Sequence, residues 1–234
     1  MAHSVWTGGS RYTGQAALPH KNIHMGTPER YQSVAEDFMA GHVTAKNLQN
    51  RQKAVFLDRD GTLNVYKGFL RNIDDFELMP GICEAIRRIN RSGYLAIVVT
   101  NQPVIARGEV TCEQLEEIHN KMETLLGLEG AYIDGLYYCP HHPHKGYEGE
   151  VAELKIDCDC RKPKPGMLLK AAEDFNIDLS RSFMVGDGEN DVKAGLAAGC
   201  RAVLIHGAGT DQKSGDFGQM DTLGSVLEFV EKYL

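Results

Sequence analysis

Apolar positions along the chain follow two alternating patterns. Short continuous apolar runs that end at polar residues are typical of buried parallel strands, and longer stretches with helical spacing are typical of amphipathic helices. The patterns predict strands at residues 54–57, 94–100, 133–139, 182–186 and 201–205, and helices at about 82–92, 111–126, 166–175 and 191–198, with one more near the C-terminus. This alternation predicts an α/β fold with a doubly wound parallel sheet.

Residues 1–50 depart from this pattern, because they are rich in Gly, His, Asn and Gln. Their one helix signal has Thr27 as N-cap and Pro28 at the first helical position, followed by a helix to about residue 39. We therefore expect a tail or linker over 1–50 and one domain over 51–234. The first residues lack the apolar stretch of a signal peptide, and no later run reaches the roughly 18 to 20 apolar residues of a membrane span, so we expect a cytoplasmic location.

The charge of the chain narrows its possible partners. The net charge is −7 over 234 residues, and there is no long basic run. Nucleic-acid backbones are bound by clustered Lys and Arg, so the charge argues against a nucleic-acid partner, and the missing apolar span argues against a membrane partner. We expect a monomer whose partner is a small molecule.

The first predicted strand leads directly into Asp58-Arg59-Asp60-Gly61-Thr62. Two carboxylates thus lie two residues apart on a loop that Gly61 lets turn sharply. One carboxylate can attack phosphorus to give an acyl phosphate, while a second protonates the leaving oxygen and Mg²⁺ offsets the charge repulsion. Asp58 suits the first role and Asp60 the second. In isolation the segment also fits a solvated Asp-Gly turn or a calcium loop.

Polar residues also follow two other predicted strands. Thr100-Asn101-Gln102 carries hydroxyl and amide donors that could hold phosphoryl oxygens, although such residues also form ordinary turns. Asp187 lies between two glycines and suits Mg²⁺ coordination, whereas Asp191 could serve there or cap the next helix. Because parallel strands end at one edge of a sheet, we expect these strand ends to converge on one crevice.

A cationic segment, Arg161-Lys162-Pro163-Lys164-Pro165, precedes a predicted helix. Lys162 could neutralise a phosphoryl group and the nucleophile, and Arg161 could grip a second anionic group with its planar guanidinium. The alternative is a solvated basic turn. The order of acid pair, hydroxyl, lysine and acid, each after a strand or before a helix, is more specific than any one of these motifs.

Two short motifs carry metal-ligand spacing. Cys139-Pro140-His141 and Cys158-Asp159-Cys160 could form a closed tetrahedral Zn²⁺ site that orders the loop 139–160. His142 and His144 compete with His141 as the imidazole ligand, and free thiols in a loop are the alternative to the whole site. The other cysteines lie in helical or strand-edge contexts and are expected to be packing residues: Cys83, Cys112 and Cys200.

Over residues 53–206 these motifs together resemble the haloacid dehalogenase superfamily of phosphatases. The resemblance implies a Rossmann-like core, essentially capless here, with Asp58 as nucleophile and Asp60 as general acid and base. Thr100 and Lys162 would stabilise the phosphoryl group, and Mg²⁺ would be bound by Asp58, the backbone carbonyl of Asp60, and Asp187.

The sequences LDRDGTLN, TNQ-x-x-IARG, CPHH and CDCRKPKPGM are similar to those of the D-glycero-D-manno-heptose 1,7-bisphosphate 7-phosphatase family. The histidinol-phosphate phosphatases, which share the zinc site, are the alternative. The resemblance implies cofactors Mg²⁺ and structural Zn²⁺ and a sugar phosphate substrate. The implied substrate contacts are Tyr66, Lys67, Gly68, Phe69, Asn101, Gln102, Arg107 and Arg161. Pro103-Val104 and Gly188 depart from the family's usual residues, which puts substrate contacts in doubt more than the chemistry.

Residues 25–31 resemble the closing segment of sugar nucleotidyltransferases, so the tail is interpreted as a remnant of a fused enzyme, with a chance linker helix as the alternative. Two other functions stay open. A non-catalytic zinc-stabilised binding module would keep the fold without turnover, and a phosphotransferase would pass phosphate to an alcohol instead of water.

Overall fold

The computed structural model describes residues 46–206 and 221–234, together with Gln32, Ala35, Phe38 and Met39. Those four residues are helical, in the stretch where the sequence predicts a helix. Most of the predicted tail, including the segment 25–31, lies outside the described residues. In the part of the chain that is described, no helix has the length and apolar character needed to cross a membrane.

Six parallel strands form one sheet in the order β3-β2-β1-β4-β5-β6. Their bounds are β1 (Lys53–Leu57), β2 (Tyr94–Asn101), β3 (Gly135–Cys139), β4 (Phe183–Gly186), β5 (Arg201–Ile205) and β6 (Asp221–Leu223). This order confirms the predicted doubly wound parallel sheet, in which the winding reverses between β1 and β4. The sequence pattern does not predict β6, because only one of its three residues is buried.

The helices that connect the strands lie close to their predicted positions. They are α1 (Ile82–Arg91), α2 (Cys112–Leu128), α3 (Gly166–Asp174), α4 (Glu189–Ala198) and α5 (Val226–Tyr233). Thr111 caps α2, since its hydroxyl accepts a hydrogen bond from the N–H of Gln114. α4 begins two residues earlier than predicted, because the carboxylate of Asp191 folds back to accept a hydrogen bond from the N–H of Gly188 at 3.0 Å.

Apolar side chains alternate between the two faces of the sheet. Val55 and Leu57 of β1 belong to the core cluster that also holds buried residues of α1, α2 and α5. Ala54 and Phe56 belong to the opposite cluster, which holds buried residues of α3 and α4. Both faces of β1 are therefore buried, which explains its continuous apolar sequence.

Lys46, in the described part of the tail, contacts the segment that precedes β3. Lys46 Nζ lies 3.3 Å from Asp134 Oδ1, and the two side chains are 4% and 0% exposed. The same Asp134 carboxylate accepts a hydrogen bond from the N–H of Ala96 at 2.8 Å. Asp134 thus binds Lys46 and Ala96 through its side chain and lies just before β3. The strand begins at Gly135, two residues later than predicted.

The carboxyl ends of β1, β2 and β4 form the edge that carries the polar residues. Asp58 follows β1, Thr100 lies at the end of β2, and Asp187 follows β4. Between β1 and α1, the described chain contains a short 3-10 helix, Ile73–Asp75, and no inserted domain. This agrees with the expectation of an essentially capless core.

Candidate active site

Three carboxylates meet at the ends of β1 and β4. Asp58, Asp187 and Asp191 each offer an oxygen, and these oxygens all lie within 4.8 Å of one another. Gly61 makes this possible, because its φ is +86° and a Cβ there would lie 2.1 Å from Oδ2 of Asp187. Only glycine fits this turn. Asp191, left between capping and binding by the sequence, both caps α4 and joins the cluster.

Lys162 inserts its ammonium group among these acids. Its Nζ lies 2.8 Å from Asp58 Oδ1 and 2.6 Å from Asp191 Oδ1, and it donates a hydrogen bond to the backbone carbonyl of Val99 at 2.8 Å. The residue is 2% exposed. These contacts fix the cation beside the predicted nucleophile, in a setting where charges interact more strongly than in water.

The pKa values of the acids reflect their burial and mutual repulsion. Burial raises the pKa of Asp58 to about 8, with a further contribution from Asp191, and Lys162 opposes the shift. Burial and Asp191 raise the pKa of Asp187 to about 6. Burial opposes the charge on Lys162, but Asp191 and Asp58 raise its pKa above the ordinary value.

The acid cluster is a fitting site for a divalent cation. Three carboxylates share one ammonium group, so the cluster retains an excess of negative charge when all are ionised. Hard oxygen ligands in such an arrangement suit Mg²⁺. The donor set therefore agrees with the magnesium site that the sequence predicts, with Asp191 added to the nearby acids.

The Asp60 carboxylate lies outside this cluster and is held by several donors. Arg59 Nη2 contacts its two oxygens at 2.9 and 2.7 Å, Gln102 Nε2 donates to Oδ2 at 2.9 Å, and Asn64 Nδ2 donates to Oδ1 at 3.1 Å. Gln102 Nε2 also contacts the Thr100 hydroxyl at 2.9 Å. From the sequence alone, no role is assigned to Arg59. Its position between Asp58 and Asp60 in the sequence was the available signal that it lies near both acids.

Asn101 contacts the backbone of Lys162. Its Oδ1 accepts a hydrogen bond from the Lys162 N–H at 3.0 Å, and its Nδ2 donates to the Lys162 carbonyl at 3.0 Å. The sequence predicts a substrate contact here. In the structure both ends of the amide are engaged in positioning the lysine.

The predicted zinc ligands lie together at the end of β3. Cys139, His141, Cys158 and Cys160 offer ligand atoms within 4.8 Å of one another. Neighbouring pairs are separated by 3.1 to 3.7 Å, for example 3.3 Å from His141 Nδ1 to Cys160 Sγ. These are edge lengths of a small tetrahedron, so the cluster is compatible with a four-coordinate Zn²⁺ ion.

The two competing histidines have other contacts. His142 Nδ1 accepts a hydrogen bond from the N–H of His144 at 3.2 Å, and their rings lie 5.3 Å apart. Burial lowers the pKa of His142, and nearby Arg161, Arg107 and Lys155 lower it further. Lys155 of the loop, together with Arg107 and Arg161, therefore places three cations near the His142 ring.

Arg107 lies between the loop after β1 and the loop 139–160. Its guanidinium carbon lies 4.4 Å from the ring centre of Phe69 and 4.3 Å from that of Tyr147. Arg161 is near the same place, and its Nη1 donates to the His141 carbonyl at 3.2 Å. The guanidinium of Arg107, stacked in this way, can still donate N–H groups at its edge to an anion.

The other predicted substrate residues lie on the loop after β1. Tyr66 and Phe69 are exposed, Gly68 has a φ of +75°, and Lys67 pairs with exposed Glu77 at 2.9 Å. Of the two departures from the family, Val104 packs in a small apolar cluster. Gly188 is the N-cap of α4, so position 188 offers no side chain to a ligand.

Known proteins share this arrangement of sequence and fold. A family model described as haloacid dehalogenase-like hydrolase matches residues 5–199. The D-glycero-beta-D-manno-heptose-1,7-bisphosphate 7-phosphatase of Yersinia pestis is 47% identical over 145 residues, which cover 62% of this chain and 75% of that protein. The protein of the same description from Escherichia coli (strain K12) is also 47% identical, with coverages of 62% and 74%.

Among solved structures, the D,D-heptose 1,7-bisphosphate phosphatase from B. bronchiseptica, complexed with magnesium and phosphate, has a TM-score of 0.64 to this chain. It is 30% identical, and the match covers 77% of this chain and 97% of that one. The similarity therefore extends over nearly the whole of that protein.

Proposed function

The chain belongs to the haloacid dehalogenase-like hydrolases, and we propose that it removes the 7-phosphate of D-glycero-β-D-manno-heptose 1,7-bisphosphate with the help of Mg²⁺. The observation that carries the proposal is the buried contact of Lys162 Nζ with Asp58 and Asp191 beside Asp187. Such a group of acids and one fixed cation suits transfer of a phosphoryl group to a carboxylate. The β anomer is the one named in the curated relatives.

Asp58 is the nucleophile in this proposal. One of its carboxylate oxygens attacks the phosphorus of the 7-phosphate, an O–P bond to Asp58 forms, and the bond from phosphorus to the sugar oxygen breaks. Asp60 gives a proton to that oxygen. Water then attacks the same phosphorus, Asp60 takes a proton from the water, and inorganic phosphate leaves Asp58 as a free carboxylate. Water as the acceptor distinguishes this reaction from that of a phosphotransferase.

Four residues support the transfer without changing covalently. Lys162 offsets the negative charge that gathers on Asp58 and the phosphoryl oxygens, and Asp191 holds Lys162 in place. Gln102 Nε2 contacts both the Thr100 hydroxyl and the Asp60 carboxylate. These contacts hold Thr100 and Asp60 in position beside the phosphoryl group that is transferred.

Mg²⁺ would be held by Asp58, Asp187 and the backbone carbonyl of Asp60, where its charge would keep Asp58 ionised and offset repulsion between carboxylate and phosphate. Burial, with a further contribution from Asp191, raises the pKa values of Asp58 and Asp187, and a bound cation would offset both effects. Zn²⁺ would be held by Cys139, His141, Cys158 and Cys160, where a closed site orders the loop and has no open position for catalysis.

Substrate selection rests on the cations beside the acid cluster. Lys162 contacts Asp58, whereas the neighbouring Arg161 contacts the His141 carbonyl, so Lys162 can serve the reacting phosphate while Arg161 binds a second one. Arg107 lies close to Arg161 and between two aromatic rings. We assign the 1-phosphate to Arg161 and Arg107, and the sugar to the exposed rim of Tyr66 and Phe69.

The test is the specificity constant, kcat/KM, for phosphate release from the α and β anomers of the heptose bisphosphate and from histidinol phosphate. We expect the β anomer to be the best substrate, turnover to cease with EDTA and return with Mg²⁺, and Asp58→Asn to be inactive. The matched control is Asp221→Asn, on the far edge strand, which should keep full activity. A preference for histidinol phosphate would reject the substrate, and no turnover of any would favour a binding module.

A further inference from the structure

Arg59 is a fully buried cation that links two distant parts of the fold. Its residue is 0% exposed. Its Nε and Nη2 contact the carboxylate of Asp60, at distances from 2.7 to 3.2 Å. Its remaining terminal nitrogen, Nη1, lies 3.1 Å from Nε2 of His119, which is 60 residues away on α2. The guanidinium therefore joins the loop after β1 to a helix.

The direction of the contact with His119 follows from chemistry. A guanidinium group has five N–H donors and no acceptor, so Nε2 of His119 must be the acceptor. The ring nitrogen that faces Arg59 thus carries a lone pair and no proton. Because the site is buried, loss of this acceptor would leave an N–H group of a charged side chain unsatisfied, or would let the guanidinium turn away.

His119 occupies a position where the pattern of α2 calls for an apolar residue. It lies on the buried face of the helix, and the other buried residues of that face are Leu115, Ile118, Met122 and Leu126. Its ring lies 5.7 Å from that of Tyr138 on β3. The ring is 1% exposed on this face, and Arg59 is a polar neighbour of its Nε2 atom.

We propose that His119 is a positioning residue for Asp60, acting through the guanidinium of Arg59. His119 fixes Nη1, and the other two nitrogens of the planar group then fix the two oxygens of Asp60. The inference rests on the proposed function, in which Asp60 delivers a proton to the leaving oxygen. Catalysis by proton transfer depends on geometry, and small displacements of the donor lower the rate strongly.

A positioning role predicts a dependence on the leaving group. A poor leaving oxygen needs protonation as its bond to phosphorus breaks, whereas a good one, such as p-nitrophenolate, needs little help. The constant kcat/KM reports the steps up to formation of the aspartyl phosphate. Displacement of Asp60 should therefore lower kcat/KM for substrates with poor leaving groups and leave it nearly unchanged for substrates with good ones. A loss of packing would lower kcat/KM equally for substrates with poor and with good leaving groups.

The experiment measures kcat/KM for a series of aryl phosphates whose leaving groups differ in pKa, with the Mg²⁺-loaded enzyme and three variants. His119→Leu removes the acceptor, His119→Gln keeps an acceptor on a similar side chain, and Met122→Leu is a matched control on the same buried face. We expect His119→Leu to lose about 10- to 100-fold with the poorest leaving group and less than about threefold with p-nitrophenyl phosphate. His119→Gln should recover most of the loss, and Met122→Leu should follow the wild type.

Equal losses by His119→Leu across the series, or no rescue by His119→Gln, would overturn the proposal in favour of a packing role. Unchanged kcat/KM in His119→Leu would overturn it as well. If thermal melting shows that His119→Leu does not fold, the test uses Arg59→Lys, which keeps the positive charge and loses the planar guanidinium. Arg59→Lys must then show the same dependence on the leaving group. The aryl series does not require a heptose substrate. A wrong substrate assignment would therefore leave this test intact, whereas an inactive wild type would reject the proposed function itself.

Discussion

Lys162 Nζ lies 2.8 Å from Oδ1 of Asp58, although Lys162 precedes α3 and Asp58 follows β1, more than 100 residues earlier. The same Nζ contacts Asp191 and the Val99 carbonyl, so the cation is fixed before any ligand binds. A preorganised charge of this kind stabilises charge that develops during reaction without needing to reorient.

Lys162→Met should therefore lower kcat for the heptose bisphosphate by about 100- to 1000-fold, because it removes the buried charge and keeps much of the side-chain volume. The matched control is Lys164→Met, two residues on, whose side chain is 40% exposed and pairs with exposed Asp157. Steady-state assays at saturating Mg²⁺ check the prediction. A loss of less than about tenfold would show that the cation is not needed for transfer.

We expect the order of the loop 139–160 to depend on metal binding by its Cys/His cluster. One zinc ion per chain is expected by elemental analysis of the purified protein, and Cys158→Ser should lose it, because a closed site needs all four ligands. We expect the melting temperature to fall by about 5 to 15 °C in that variant. Cys112→Ser, an exposed cysteine, serves as control. Full zinc content in Cys158→Ser would contradict the assigned ligands.

In the proposed function, Arg161 recognises the second phosphate and takes no part in the transfer itself. Arg161→Gln should lower kcat/KM for the bisphosphate by about 10- to 100-fold, since it removes a charged hydrogen bond to the distal phosphate. The loss for p-nitrophenyl phosphate, which has no second phosphate, should be less than about threefold. Because Arg161 also contacts the His141 carbonyl, equal losses with both substrates would indicate that the residue supports the zinc loop instead.

The ion pair of Lys46 and Asp134 should stabilise the fold without affecting catalysis. Both side chains are almost fully buried, so Lys46→Met leaves Asp134 without its cationic partner and should lower the free energy of unfolding by about 3 kcal/mol. Lys170→Met, which breaks a partly exposed pair on α3, should cost less than about 1 kcal/mol. Urea unfolding measures both values, and equal values would mean that burial of the Lys46 pair contributes nothing.

Much of the fold could be predicted from the sequence, because a parallel strand buried on both faces leaves a continuous apolar run. The five predicted strands are all present, and their polar ends mark the edge where Asp58, Thr100 and Asp187 lie. β6 escaped prediction because three residues with one buried side chain carry no periodic signal. The cysteine pairs identified the Cys/His cluster that could hold a metal ion, because ligand spacing is local.

Contacts between distant residues could not be predicted in the same way. Arg59 and His119 are 60 residues apart, and Lys46 and Asp134 are 88 apart, so neither pair leaves a local pattern. A histidine on an apolar helix face was the one available signal for the first pair. Asn101 illustrates a related limit, because its residue type fits a substrate contact while the fold directs its amide to Lys162.

The most direct test of the account is to identify which phosphate leaves. Phosphorus NMR of D-glycero-β-D-manno-heptose 1,7-bisphosphate during turnover with Mg²⁺ should show the 7-phosphate signal disappear and inorganic phosphate appear, while the anomeric 1-phosphate signal persists. Asp58→Asn should show no change over the same period. Loss of the 1-phosphate signal, or phosphate release that survives Asp58→Asn, would contradict the account of Asp58 as the nucleophile toward the 7-phosphate.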